Sequence, residues 1–212
     1  GVLPPLQVLL NQSFETAAGG VPDNWTKVRL TGFNWTPNVS DTFDQQSSTP
    51  TGKKSPQDGN SMAHTYLGSD EPNVLVSVAA EQTSSTFGTI TNEDNPRVTY
   101  SAIYDSRTGY SANHHNQAGG VVEVEFENQG GENYRIRYYH SFQSDYGIPS
   151  DDDDTKYKIC TTNWYSGVSG EDYRNWIHNS HELNADISSK FAITAYTVKA
   201  VRVGIIDNRK DS

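Results

Sequence analysis

Two runs separated by one turn constrain this chain more than any other feature. Val122, Val124 and Phe126 alternate with Glu123, Glu125 and Glu127. After Asn128-Gln129-Gly130-Gly131, the residues Tyr134, Ile136, Tyr138, His140 and Phe142 alternate with Arg135, Arg137, Tyr139 and Ser141. Period-two alternation marks a strand with one face buried. A three-residue loop with a glycine in the left-handed conformation joins the runs so that Glu125 opposes Arg135 and Glu123 opposes Arg137. Each opposite-charge cross-strand pair contributes about 0.2–1 kcal/mol, and a slipped register forfeits it. The chain is thereby committed to an antiparallel hairpin.

Composition extends that commitment to the whole chain. Hydrophobic residues make up 33% of 212 and charged residues 20%, so uncharged polar side chains fill much of the rest. That balance suits strands wet on one face, and a single Met argues against a helical bundle. Further strands are expected over 7–10, 61–67, 74–78, 97–104, 156–161, 173–177, 191–196 and 199–206, with a helical turn over 184–190. Eight to ten strands in one domain spanning residues 1–212 predict an all-β, two-sheet sandwich of jelly-roll type with little helix. Three long polar connections, 36–60, 105–120 and 143–155, would decorate it as a binding rim or as mobile loops.

A net charge of −10 and a pI near 4.9 disfavour nucleic acid and anionic membrane faces as partners. The same charge favours neutral over polyanionic glycans. One cysteine, Cys160, excludes an intramolecular disulfide framework. No run approaches the roughly 18 apolar residues of a membrane-spanning helix, and Gly1-Val2-Leu3-Pro4-Pro5 is not a signal peptide. An extracellular or particle-surface location is expected. Four Asn-x-Ser/Thr sequons, at Asn11, Asn24, Asn34 and Asn38, follow from an Asn- and Thr-rich composition.

The ends of the chain carry a resemblance. Leu9-Leu10-Asn11-Gln12-Ser13-Phe14-Glu15 is followed by Pro22-Asp23-Asn24-Trp25, and Val201-Arg202-Val203-Gly204-Ile205-Ile206-Asp207 closes the last expected strand. This pairing resembles the β-jelly-roll carbohydrate-binding modules, whose first strand bears Asn-x-x-Phe-Glu/Asp before a Trp. The resemblance implies non-catalytic polysaccharide binding and a structural calcium where the first and last strands meet. Carried over position by position, Ser13 offers a carbonyl, Glu15 and Asp207 offer carboxylates, and Asn60, in Asp58-Gly59-Asn60-Ser61, offers another carbonyl. A hard cation wants six to eight such oxygens. The competing reading makes Glu15 and Asp207 ordinary surface acids. The run at 151–154 lacks ligand spacing and reads as a solvated acidic tip.

Sugar rings pack their C–H faces on Trp and Tyr, and their hydroxyls need amide, carboxylate or guanidinium partners. Trp35, Trp164, Tyr165 and Trp176 stand in polar contexts and are candidate platforms. Tyr139, mid-strand beside Tyr138 and His140, would be core or groove according to the face it takes. Trp25 matches a Trp that is buried in the family. His114-His115 and the pair His178 and His181 come with no ordered third ligand, so no transition-metal site is expected. No nucleophile elbow or phosphate loop occurs. Two alternatives share the fold. One is a structural or adhesive jelly roll on a virion or cell surface, where oligomerisation would be expected. The other is a jelly-roll polysaccharide lyase, with Arg137, Tyr139 and His140 in the charge-neutralising and proton-transfer roles, although none of that family's local motifs is present.

Overall fold

The structure, a computed structural model, describes residues 9–10, 14–30, 40–48, 56, 60–68, 75–103, 117–144, 157–161 and 176–208. Its strands are β1 (Ala17–Ala18), β2 (Val21–Pro22), β3 (Thr26–Val28), β4 (Ser40–Gln46), β5 (Met62–Gly68), β6 (Leu75–Thr83), β7 (Arg97–Ala102), β8 (Gln117–Asn128), β9 (Asn133–Ser144), β10 (Tyr157–Thr161), β11 (Ile177–Glu182) and β12 (Tyr196–Asn208). Two short helices, α1 (Ser84–Phe87) and α2 (Leu183–Phe191), and a 3-10 turn (Asn92–Asp94) complete the described elements. The chain is all-β and sandwich-like, as its composition and alternation predict. Neither helix is long and apolar enough to cross a membrane.

The largest layer is a six-stranded sheet in the order β10-β9-β8-β12-β6-β3. Its described pairs are antiparallel except at one edge, where β10 runs parallel to β9. That parallel edge is an addition to the antiparallel pattern of a jelly roll. The β8–β9 hairpin forms in the register set by its charges, with Glu125 opposite Arg135 and Glu123 opposite Arg137. Gly131 takes the left-handed conformation at φ 80°, which costs a glycine nothing sterically. Asn128 completes the turn, its Oδ1 accepting from the amides of Gly130 (2.9 Å) and Glu132 (3.0 Å).

Directly paired residues share a sheet face, so the alternation sorts each strand into two sets. On one face Val122, Val124, Phe126, Ile136, Tyr138 and Val198 pack under Phe87 of α1 and Leu183 and Ile187 of α2. Val98 and Tyr100 of β7 join them. Farther along the same face, Trp25, Phe43 and Ala80 form a second cluster with Leu9, Phe14, Ala63 and Val203. The covering layer therefore comprises two two-stranded sheets, β4–β5 and β7–β11, seated side by side with α2. Trp25 is buried, and the Phe14 ring lies 5.3 Å from it. The two aromatic positions of the N-terminal motif thus meet as core.

The opposite face carries Leu30, Ala79, Val121, Tyr139 and Ile206 as an apolar patch, and beside it a row of alternating charge. Glu81, Arg202, Glu123 and Arg137 stand opposite one another across β6, β12, β8 and β9. Arg202 donates to Glu81 (2.6 Å), Glu123 (2.7 Å) and Glu125 (2.7 Å), and Arg137 donates to Glu123 (2.5 Å). Glu123 is 0% exposed. Burial opposes the charge on Arg202, but Glu123 and Glu125 more than offset it, and its guanidinium is held above its ordinary range.

Three expected elements differ from those observed. Residues 7–8 lie outside the described set, and Leu9–Leu10 forms no strand. Instead, the buried Gln82 on β6 accepts from the Leu10 amide (2.9 Å) and donates to the Leu10 carbonyl (3.0 Å). The strand expected over 191–196 is absent: Phe191 ends α2, and the strand starts at Tyr196. Leu183, Ile187 and Phe191 recur every four residues, a helical stripe laid on the core. The strand expected over 173–177 begins at Ile177 and runs to Glu182, with 173–175 outside the described residues.

Candidate functional site

The described residues build an open surface pocket of about 210 Å³ at the turn end of the β8–β9 hairpin. Thr91, Asn92, Glu93, Glu127, Asn128, Gln129, Ala195, Tyr196 and Thr197 line it. The residues come from three places in the chain, and the strand ladder brings them together. Thr197, the second residue of β12, pairs with Glu127 on one side and with Thr91 on the other. Those three side chains therefore fall on one face and form the floor. The 3-10 turn and the hairpin turn make opposing rims.

Both rims are internally braced. Thr91 caps the 3-10 turn through a reciprocal capping box: its side chain accepts from the Glu93 amide, and Asp94 accepts from the Thr91 amide at 2.8 Å. Asn92 accepts from the Tyr196 amide at 3.3 Å. Behind it, Asn184 of α2 donates to the Asn92 carbonyl (3.0 Å) and accepts from the Tyr196 hydroxyl (2.7 Å). Burial pushes the Tyr196 phenol up, so it stays protonated and keeps donating. Asn128 is spent on its own turn, its Nδ2 reaching Glu132 at 3.3 Å. Among the described residues, the side chains of Glu93, Gln129 and Thr197 form no hydrogen bond within the protein. Among the described residues Glu127 pairs with Lys199 alone, at 4.0 Å. The site thus offers two carboxylates, a carboxamide and a hydroxyl on a fixed frame. These groups pair with hydroxyls and cations.

None of these nine residues was a candidate on sequence grounds. Thr91-Asn92-Glu93-Asp94 carries a capping-box signature, and Asn128-Gln129-Gly130-Gly131 reads as a turn, but neither signal places them together. The expected aromatic platforms fare differently. Trp35, Trp164 and Tyr165 lie outside the described residues. Tyr139 is corrected from candidate platform to core: it is 1% exposed among Leu30, Ala79, Val121 and Ile206. A ring so enclosed has no face for a sugar. Trp176 is half-buried immediately before β11. It sits beyond the Ile177–Ala102 pair, whereas the 3-10 turn adjoins the Glu182–Arg97 pair. Five rungs, about 17 Å, separate those ends, so Trp176 is not part of this pocket.

The roles considered for a lyase also meet the structure. Arg137 is buried and bonded to Glu123, and Tyr139 is enclosed. A guanidinium already neutralised by a carboxylate does not neutralise a substrate acid. The side chain of His140 lies outside the described set.

The calcium ligands implied by the resemblance come together in part. Glu15 Oε1 accepts from the amides of Asn60 (2.8 Å) and Ser61 (3.0 Å), so Glu15 and Asn60 do meet. Ser13 is outside the described residues, as is the Asp207 side chain. The expectation that the last strand runs beside the first is corrected by the sheet order. β12 has β6 on one side and β8 on the other, which places Asp207 between Val76 and Ala118. Both edges of a strand in the middle of a sheet are already hydrogen-bonded, so no further strand pairs there. Among the described residues no group of three or more His, Cys, Asp or Glu gathers in metal-binding proximity. No protein-family model matches the chain, and no curated protein sequence matches it.

Proposed function

We propose that this protein binds carbohydrate without chemistry of its own, through the pocket between the 3-10 turn and the β8–β9 turn. The observation that carries the reading is the lining itself. Carboxylate, carboxamide and hydroxyl groups converge on a pocket whose walls are fixed by capping and turn hydrogen bonds. Sugar hydroxyls donate and accept at once, and planar acids and amides answer both needs. Walls already ordered before binding spare the ligand the entropy of arranging them. The ligand in this reading is a glycan free of acidic groups, consistent with the net charge of −10.

Titrating isotope-labelled protein with a panel of monosaccharides and short oligosaccharides tests this. Amide shifts are expected to move at Thr91–Glu93, Glu127–Gln129 and Ala195–Thr197 and to stay still along β4 and β5. Gln129→Ala together with Thr197→Val is expected to weaken binding by about tenfold or more, each lost hydrogen bond contributing on the order of 1 kcal/mol. Shifts confined to other surfaces would remove the pocket from the proposal.

A structural calcium belongs to the same proposal, held by Glu15 with Ser13, Asn60 and Asp207 as the remaining candidates. A cation bound only by the folded chain stabilises it by about 2.7 kcal/mol at a hundredfold excess over its dissociation constant. The melting temperature is then expected to fall in chelator and to recover with calcium but not magnesium, which demands a smaller octahedral cage. Glu15→Gln should erase that response. A melting curve indifferent to chelator but lowered by Glu15→Ala would leave Glu15 as a clip to the Asn60 and Ser61 amides and nothing more.

A further inference from the structure

We propose that His181 makes the β7–β11 layer an acid-operated latch, whose opening slackens the 3-10 rim of the pocket. The side chain reaches from β11 into the seam between the covering layer and the main sheet, where it is 9% exposed. Its ring stacks on that of the fully buried Tyr138 of β9, with centroids 4.0 Å apart and planes within 7° of parallel. Its Nε2 lies 3.4 Å from the Tyr100 hydroxyl of β7. One imidazole thus joins β11 both to β7 and to the sheet beneath. The rim hangs from this layer. The 3-10 turn precedes β7, and α2 follows β11 directly. Leu183 donates its amide to the Pro96 carbonyl at 3.1 Å, and Asn184 donates to the Asn92 carbonyl at 3.0 Å. That the latch governs ligand binding rests on the glycan reading of the pocket; the latch itself does not.

Among the described residues, the titratable groups facing His181 are Tyr100 of β7, Tyr138 of β9 and Asp186 of α2. Arg97, His178 and Glu182 stand on the outer face of the same two strands. Burial opposes an imidazolium here, while the Asp186 carboxylate and the Tyr138 ring face favour one. Asp186 also accepts from the Tyr138 hydroxyl at 2.8 Å. Burial prevails, and the imidazole pKa is held below its ordinary value. The unfolded or opened chain therefore takes up this proton first, near pH 6.5. The neutral ring's contribution to the seam is intact above about pH 6.5 and is lost progressively as pH falls below it. Histidines in packed interfaces act as acid switches in this way.

The test is hydrogen exchange of the whole chain without ligand, read by NMR at about pH 7.5 and about pH 5.5, on either side of the ordinary imidazole range. Rates are corrected for the intrinsic pH dependence of amide exchange. On acidification, the amides of β7, β11 and the 3-10 turn are expected to lose protection by about five- to tenfold relative to those of β8 and β12. His181→Gln should abolish that loss, and His178→Asn, on the outer face of the same strand, should retain it. In the unaltered protein the His181 ring signals should titrate below about pH 6.5, a readout that requires no variant to fold. Titration at or above that value would overturn the latch. So would an equal loss of protection across β8 and β12, or a loss that persists in His181→Gln. Failure of the latch leaves the glycan reading standing, because no sugar enters the experiment.

Discussion

Glu123→Gln is expected to destabilise the protein by about 3–5 kcal/mol, the cost of breaking a buried ion pair by removing one partner. Glu123 is fully buried, and it is the carboxylate that Arg137 and Arg202 share. The substitution keeps the side-chain shape but leaves two guanidinium groups with one anion fewer in a site from which water is largely excluded. Desolvation of the two guanidinium groups is then compensated less fully. Urea denaturation measures the loss, and a change below about 1 kcal/mol would show that the row behaves like an exposed surface pair. Replacing Glu81, Glu123, Arg137 and Arg202 together by apolar residues of similar volume is expected to recover much of the stability, because the row leaves as a set and Glu125 keeps Arg135 at 3.3 Å.

Gly204→Ala is the second large effect. Gly204 lies on β12 between Ala79 of β6 and Val121 of β8. A Cβ there would run into the Val78 carbonyl oxygen and stand 2.6 Å from Ala79 Cα and 2.8 Å from its Cβ. Two of those atoms are backbone, so relief requires the strands to move apart rather than a side chain to turn. Overpacking of this kind costs about 3 kcal/mol or more. The double variant Ala79→Gly with Gly204→Ala should not rescue stability, since the closest clash, with the Val78 carbonyl, persists. Equilibrium unfolding of both variants checks this, and a Gly204→Ala protein as stable as the parent would mean that β6 and β12 sit farther apart than described.

Both effects start from features visible in the chain and depend on neighbours that were not. The Glu/Arg alternation and the Asn128–Gly131 turn together fixed the hairpin and its register, since a slip by one residue moves every side chain to the other face and parts the opposite charges. It also placed those charges on the face opposite Val122, Val124 and Phe126. Exposed cross-strand pairs contribute a few tenths of a kcal/mol. The arrival of Arg202 and Glu81 from β12 and β6, together with burial of the face, turns the same residues into a charge row whose disruption is far more costly.

What the sequence determined by itself is local. Periods of two residues wrote β8 and β9, a turn with Gly131 joined them, and the family resemblance marked Trp25 as core. Where local signals competed, they misled. The apolar residues before Tyr196 read as strand, yet Leu183, Ile187 and Phe191 answer to a helix packed on the sheet. Only the tertiary structure decided that Tyr139 is enclosed by Leu30, Ala79, Val121 and Ile206, because no single strand records what covers its outer face. It also decided that Asp207 is flanked by Val76 and Ala118. The pocket belongs wholly to that level. Thr91, Glu127 and Thr197 are far apart in the chain and share one face because β12 pairs with β8 on one side and bridges to Thr91 on the other. Strand neighbours distant in sequence are chosen by the free energy of the whole sheet and its core, a quantity that no local window of residues contains.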